Sequence, residues 1–155
     1  MTGIEFHANV DDKLHYSCRL IRKAVRSGAD AVVVGEADTL RQLDQLLWSY
    51  SNTEFLPHCL ANSPEATRVA SPVLLVEQLT EQLISPLTEL ASRSVLINLG
   101  QQVPVNFERF ERLIEIASSQ ADDRQAALGR WKYYKARGYA LKRHEAPSGG
   151  AAAPS

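Results

Sequence analysis

Ala31-Val32-Val33-Val34 is apolar at four consecutive positions, three of them β-branched, and Gly28 stands before it and Gly35 after it. A strand with one wet face alternates apolar and polar residues. One that is apolar on both faces belongs in the middle of a parallel sheet covered by helices. The flanks agree. Upstream, Leu14, Cys18, Ile21 and Val25 fall at i, i+4, i+7 and i+11, which predicts a helix with one buried stripe. Asn9 to Asp12 supply its capping groups and Gly28 its stop. Downstream, Asp38 is placed to cap a second helix whose inner face carries Leu40, Leu43, Leu47 and Tyr50.

Further out, Ile4 to Ala8, Val73 to Glu77 and Ser94 to Leu99 read as strands. Phe55-Leu56-Pro57-His58 reads as an edge segment, because Pro57 cannot donate to a ladder. Ala61 to Ser71 reads as a loop. Gln78 to Ala91 carries Leu79, Leu83, Leu87 and Leu90 at helical spacing, with a break expected at Pro86. Phe107, Phe110, Ile114 and Ala117 predict another amphipathic helix, and Asp122 or Asp123 is placed to cap a last one ending near Gly138. The pattern predicts a single α/β domain over residues 1–145, doubly wound, with a mostly parallel sheet of about five strands flanked by helices. Residues 146–155, Ala-Pro-Ser-Gly-Gly-Ala-Ala-Ala-Pro-Ser, have nothing to bury and predict a disordered tail.

Composition narrows the function. At 155 residues and 45% hydrophobic the chain can build one ordinary core. The longest apolar runs are far short of a membrane span, and Met1 to Glu5 lacks the pattern of a signal peptide. A cytoplasmic protein with reduced cysteines is expected. Residues 1–123 carry 10 basic and 17 acidic side chains, whereas residues 124–155 carry seven basic and one acidic. An acidic body with a basic C-terminal element points to an anionic partner.

The common use of such a fold is nucleotide binding, yet its phosphate loop is missing. The first strand runs into Asn9-Val10-Asp11-Asp12, without glycine and with two carboxylates, and the second into Gly35 and Glu36. Neither turn lets backbone amides approach a pyrophosphate. His58-Cys59 is the closest pair of metal-ligand types, but adjacent strand residues point to opposite faces, so no metal is expected. Cys18 reads as a core residue. His7 has no nucleophile elbow beside it and reads as a satisfied strand histidine, which leaves no catalytic constellation and no cofactor.

The strongest local signal is Arg124 to Tyr139. At 100° per residue Arg124, Leu128, Trp131, Lys132 and Lys135 share one side of a helix. An apolar patch ringed by cations suits a short acidic peptide that ends in a hydrophobic residue. Two other readings stay open: a solvated basic helix, and a single-stranded nucleic-acid module with Trp131, Tyr133 or Tyr134 stacking on bases. The acidic body opposes the latter. Trp48, at the rim of the second helix's apolar stripe, and Phe55 are either a partner-binding patch or core.

Several segments in order resemble the chi subunit family of bacterial DNA polymerase III. They are Leu43 to Trp48 with Phe55 to His58; Val95 to Leu99 with Pro104, Phe107, Glu108 and Arg109; and Arg130-Trp131-Lys132-Tyr133-Tyr134-Lys135-Ala136-Arg137-Gly138-Tyr139. The likeness spans about residues 3–143. It implies a Rossmann-like fold without the nucleotide site and a non-catalytic accessory subunit of the replicase that meets DNA only indirectly and no membrane. It also implies two partners: the psi subunit, expected one to one, and the acidic, Phe-terminated tail of single-stranded-DNA-binding protein. Carried over by position, Arg124 and Lys132 would hold the tail's acidic groups, Trp131 and Ala117 would line its pocket, and Trp48 and Phe55 would meet psi. Leu128 stands where the family has an arginine, and Lys135 could compensate in part. Gln78 to Ser92 is longer than the family's usual loop.

Overall fold

A computed structural model of the chain describes residues 2–49, 58–60 (backbone only), 73–77 and 95–145. The strands are β1 (Gly3–Val10), β2 (Ala31–Val34), β3 (His58–Leu60), β4 (Val73–Val76), β5 (Val95–Asn98), β6 (Arg112–Ser118) and β7 (Leu141–Glu145). The helices are α1 (Lys13–Arg26), α2 (Ala37–Ser49) and α3 (Ala121–Ala136). Among the described residues the sheet has seven strands in the order β3-β4-β2-β5-β6-β1-β7, and every pairing is parallel. The doubly wound α/β architecture is as expected; the strand count of about five is too low.

Both faces of the sheet are covered, which is why β2, β4 and β5 are buried at every position. On one face α1 and α2 bring Tyr16, Cys18, Ile21, Leu40, Leu43 and Leu47 onto Val33, Leu75 and Ile97. On the other, α3 and the loop before β6 bring Ala127, Tyr134, Phe107 and Phe110 onto Phe6, Leu96 and Leu113. Cys18 is a core residue, and burial pushes its thiol up to about 12, which leaves it inert as a nucleophile.

Two strands escape the sequence reading. The predicted helix over Phe107 to Ala117 is instead a short 3-10 turn (Phe107–Arg109) followed by β6. Its apolar residues fit both periods, and the acidic Glu115 disguises a segment that is buried throughout Leu113 to Ser118. β7 reads Leu-Lys-Arg-His-Glu and carries no apolar alternation, because it is an edge strand that meets water and keeps its charges there.

Two caps also differ. Gln120, not Asp122 or Asp123, is the N-cap of α3, and Asp123 reaches back to accept from the Ser118 N–H at 2.6 Å. Asp38 lies inside the first turn of α2 and pairs with Arg41 at 2.8 Å. The cap of α1 is Asp12, as expected, accepting from the N–H groups of Leu14 and His15. Phe55, Tyr50, the loop 61–71, the helix 78–91 and the tail 146–155 lie outside the described residues.

Candidate functional site

α3 alternates its contacts at helical spacing. Asp123, Ala127, Arg130 and Tyr134 are buried against the sheet, so Arg124, Leu128, Lys132 and Lys135 are turned outward. Leu128 is 47% exposed. Trp131 lies between the two sets. It is half-buried, its ring meets Phe6 edge-on at 5.0 Å between centroids, and it follows Leu128 by three residues on the helix, the spacing of neighbours on one face. Ala117 on β6 is buried in the cluster that Trp131 packs on. Arg124, Lys132 and Lys135 make no ion pair with a carboxylate among the described residues. Further along, the Arg137 guanidinium stacks on the exposed Tyr133 at 4.4 Å.

What fixes this surface is a polar knot beneath it. Glu115, fully buried on β6, accepts from Arg130 Nε at 2.9 Å, from the Tyr134 hydroxyl at 2.5 Å and from Asn98 Nδ2 at 3.0 and 3.1 Å. Arg130 Nη1 also donates to the Gln101 carbonyl at 2.9 Å. Burial pushes the Glu115 carboxyl up, and Arg130, Tyr134 and Asn98 pull against it. Burial, and then Glu115 itself, hold the Tyr134 hydroxyl protonated, and it donates to the carboxylate. At the helix start, burial of Asp123 is outweighed by the Ser118 N–H, Lys13 and Gln101, and its carboxyl is held below the usual range. α3 is therefore tied to the sheet near both ends, and Trp131 and Leu128 sit on a rigid element between the ties.

This knot corrects two expectations. Arg130, counted among the cations of the basic helix, is 3% exposed and committed to Glu115. Tyr134, one of three aromatics considered for base stacking, is fully buried, whereas Tyr133 is 39% exposed. Neither role of Arg130 and Glu115 was legible locally. An acid inside an apolar run and an arginine 15 residues later in a basic helix gave a usable signal only as a pair.

The turns after β1 and β2, where such a fold would bind a nucleotide, carry no glycine-rich loop. The N–H groups at the start of α1 are already taken by Asp12. A Cβ on Gly35 would meet Leu99 and Leu40 at 3.4–3.5 Å, ordinary van der Waals contact, and the acidic Glu36 follows it. The Nδ1 of His7 bonds the Tyr16 hydroxyl, while its buried Nε2 has no hydrogen bond and faces Glu5 Oε1 at 3.6 Å. His58 and Cys59 lie in β3, where the backbone alone is described. No described helix is long and apolar enough to cross a membrane.

Trp48, near the end of α2, is 57% exposed, so it is not the core residue its spacing allowed. It lies one residue beyond the buried Leu47 on the helix that packs beside β3 and β4, at the opposite edge of the sheet from β7. The two candidate surfaces, around Trp48 and around Leu128, thus occupy different elements and different faces.

Comparison with known proteins bears on these surfaces. Residues 1–142 match the family model described as DNA polymerase III chi subunit, HolC. A curated protein of Pseudomonas aeruginosa, DNA polymerase III subunit chi, is 31% identical over 152 residues, covering 95% of this chain and 99% of that protein. The protein of the same name from Haemophilus influenzae is 28% identical over 126 residues, covering 81% of each.

Proposed function

Because this chain belongs to the DNA polymerase III chi subunit family, a family of replication accessory subunits, we propose that it works in the bacterial cytoplasm as a protein–protein adaptor with no catalytic site of its own. One surface receives the acidic C-terminal tail of single-stranded-DNA-binding protein. The other, around Trp48, receives the psi subunit and through it the clamp loader, with Phe55 assigned to the same contact by its match to the family. The observation that carries the first half is the row Arg124, Leu128, Trp131, Lys132 and Lys135. Its cations have no carboxylate partner among the described residues, and its apolar members are held partly in solvent.

The chemistry is that of peptide recognition. The guanidinium of Arg124 and the ammonium groups of Lys132 and Lys135 supply charge-assisted donors to side-chain carboxylates and to a terminal one. Leu128 and Trp131 offer a terminal aromatic side chain an apolar seat. With leucine at 128, one cation that the family places here is replaced by apolar area. That shifts the balance of the site from charge towards burial and lowers the salt sensitivity of binding. Calorimetric titration with a synthetic acidic peptide ending in Phe tests this. Arg124→Glu and Lys132→Glu should each weaken binding about tenfold, or ~1.4 kcal/mol. Binding indifferent to both would place the tail elsewhere.

A direct single-stranded nucleic-acid module is the alternative. It is disfavoured because Tyr134 is buried in the core and Arg130 is committed to Glu115, which leaves a small cationic footprint on an acidic body. Tight binding of an oligonucleotide at moderate salt, without any protein partner, would favour it.

A further inference from the structure

On the sheet edge away from Trp48 and on the α1 face, not the α3 face, the fold assembles three side chains that neither surface uses. Glu5 and His7 alternate onto the same face of β1, and the parallel register sets His144 of β7 opposite His7. Glu5 Oε1 lies 3.6 Å from His7 Nε2 and 3.5 Å from His144 Nε2, and one donor atom from each of the three residues falls within 4.8 Å of the others. A tetrahedral ion with bonds of about 2.0–2.1 Å holds its ligand atoms roughly 3.3–3.4 Å apart, so two of the three edges are nearly at length.

The surroundings prepare these atoms to be ligands. His7 is 7% exposed, its Nδ1 is engaged by the Tyr16 hydroxyl, and its Nε2 is buried without a hydrogen-bond partner. That is the outer-shell arrangement by which a metal-binding imidazole is oriented through its other nitrogen. Glu5 is fixed through its second oxygen, which accepts from Arg112 Nη2 at 2.8 Å and Nε at 3.2 Å, leaving Oε1 turned to both imidazoles. The imidazoles of His7 and His144 stack at 4.8 Å between centroids and 25° between planes. His144 is half-exposed on an edge strand, so a turn about its side-chain bonds brings its lone pair to the common point.

We infer that Glu5, His7 and His144 form a binding site for a divalent transition-metal ion of the zinc class, with a fourth position open to solvent. The identity of the ion follows from the donors and their neighbours. Arg112 holds Glu5, Lys142 stands opposite Glu5 in the register, and Arg19 lies 6.0 Å from the Tyr16 ring. With one carboxylate among three cations, the site has too little negative charge for calcium or magnesium. The two imidazoles supply the affinity, and they select zinc, cobalt, nickel or copper.

The test is a cobalt(II) titration of the full-length, tag-free chain read by its visible ligand-field bands, with zinc(II) calorimetry beside it. One equivalent should bind, with intense bands of four-coordinate cobalt. His144→Ala, an exposed change that leaves the fold intact, should weaken zinc at least tenfold and abolish the zinc-dependent rise in melting temperature. Glu5→Gln should weaken it similarly, whereas His15→Ala, which alters a separate Asp12–His15 pair, should not. Absence of stoichiometric binding, or binding that His144→Ala leaves unchanged, overturns the site.

Discussion

Replacing Arg130 by Met is the most demanding test of how the candidate peptide surface is held. Arg130 is 3% exposed and Glu115 fully buried, with Nε to Oε1 at 2.9 Å, so the change strands a carboxylate in the core with only the Tyr134 hydroxyl and the Asn98 amide as donors. Breaking one side of a buried ion pair costs about 3–5 kcal/mol. For a domain of this size that corresponds to roughly 6–20 °C in melting temperature. The deficit should depend on pH in a defined direction. Burial already pushes the Glu115 carboxyl up, and without the guanidinium it rises further. The folded state then binds a proton that the unfolded state releases, so the variant loses stability as pH rises and recovers part of it as pH falls. Glu115→Gln with Arg130→Met removes the stranded charge and keeps an acceptor for Tyr134, and should regain at least half the loss. Urea unfolding of the wild type and these variants at several pH values measures all of this. A loss below about 1 kcal/mol, or a double variant no better than the single one, would refute the view that this pair fixes α3.

Other expectations are more local. Trp48→Ala should leave thermal stability within about 1 kcal/mol, because the indole is 57% exposed, while abolishing capture of the psi subunit and sparing the acidic peptide; a large loss of stability would return Trp48 to the core. Asp123, whose folded-state carboxyl is held low, contributes stability above the unfolded carboxyl value of about 3.9 that is lost as pH falls through the folded one. Asp123→Asn should therefore destabilise the protein at neutral pH and flatten its acid unfolding curve, a comparison circular dichroism can make. Leu128→Arg should tighten the acidic peptide and steepen its salt dependence, measured by calorimetry at two ionic strengths; an unchanged affinity would place Leu128 outside the peptide's footprint.

Much of the fold is written locally. The doubly apolar β2, the stripe Leu14, Cys18, Ile21 and Val25, the Asp12 cap and the left-handed Gly28 each follow from short-range chemistry that no distant contact reverses. The outward row on α3 is legible in the same way, because helical spacing alone puts Arg124, Leu128 and Lys132 together. What periodicity could not supply was any residue whose environment is made by chain far away. Glu115 is interior only because Arg130 and Tyr134 arrive from α3, so β6 looked like part of a helix. β7 is a strand only because β1 offers it a parallel edge, and its own charges gave no sign of it. Glu5, His7 and His144 are separated by up to 139 positions and meet through register alone. Sequence determines which way each local segment turns its apolar face. Tertiary structure decides which polar groups find one another, because their partners are set by strand order and not by spacing.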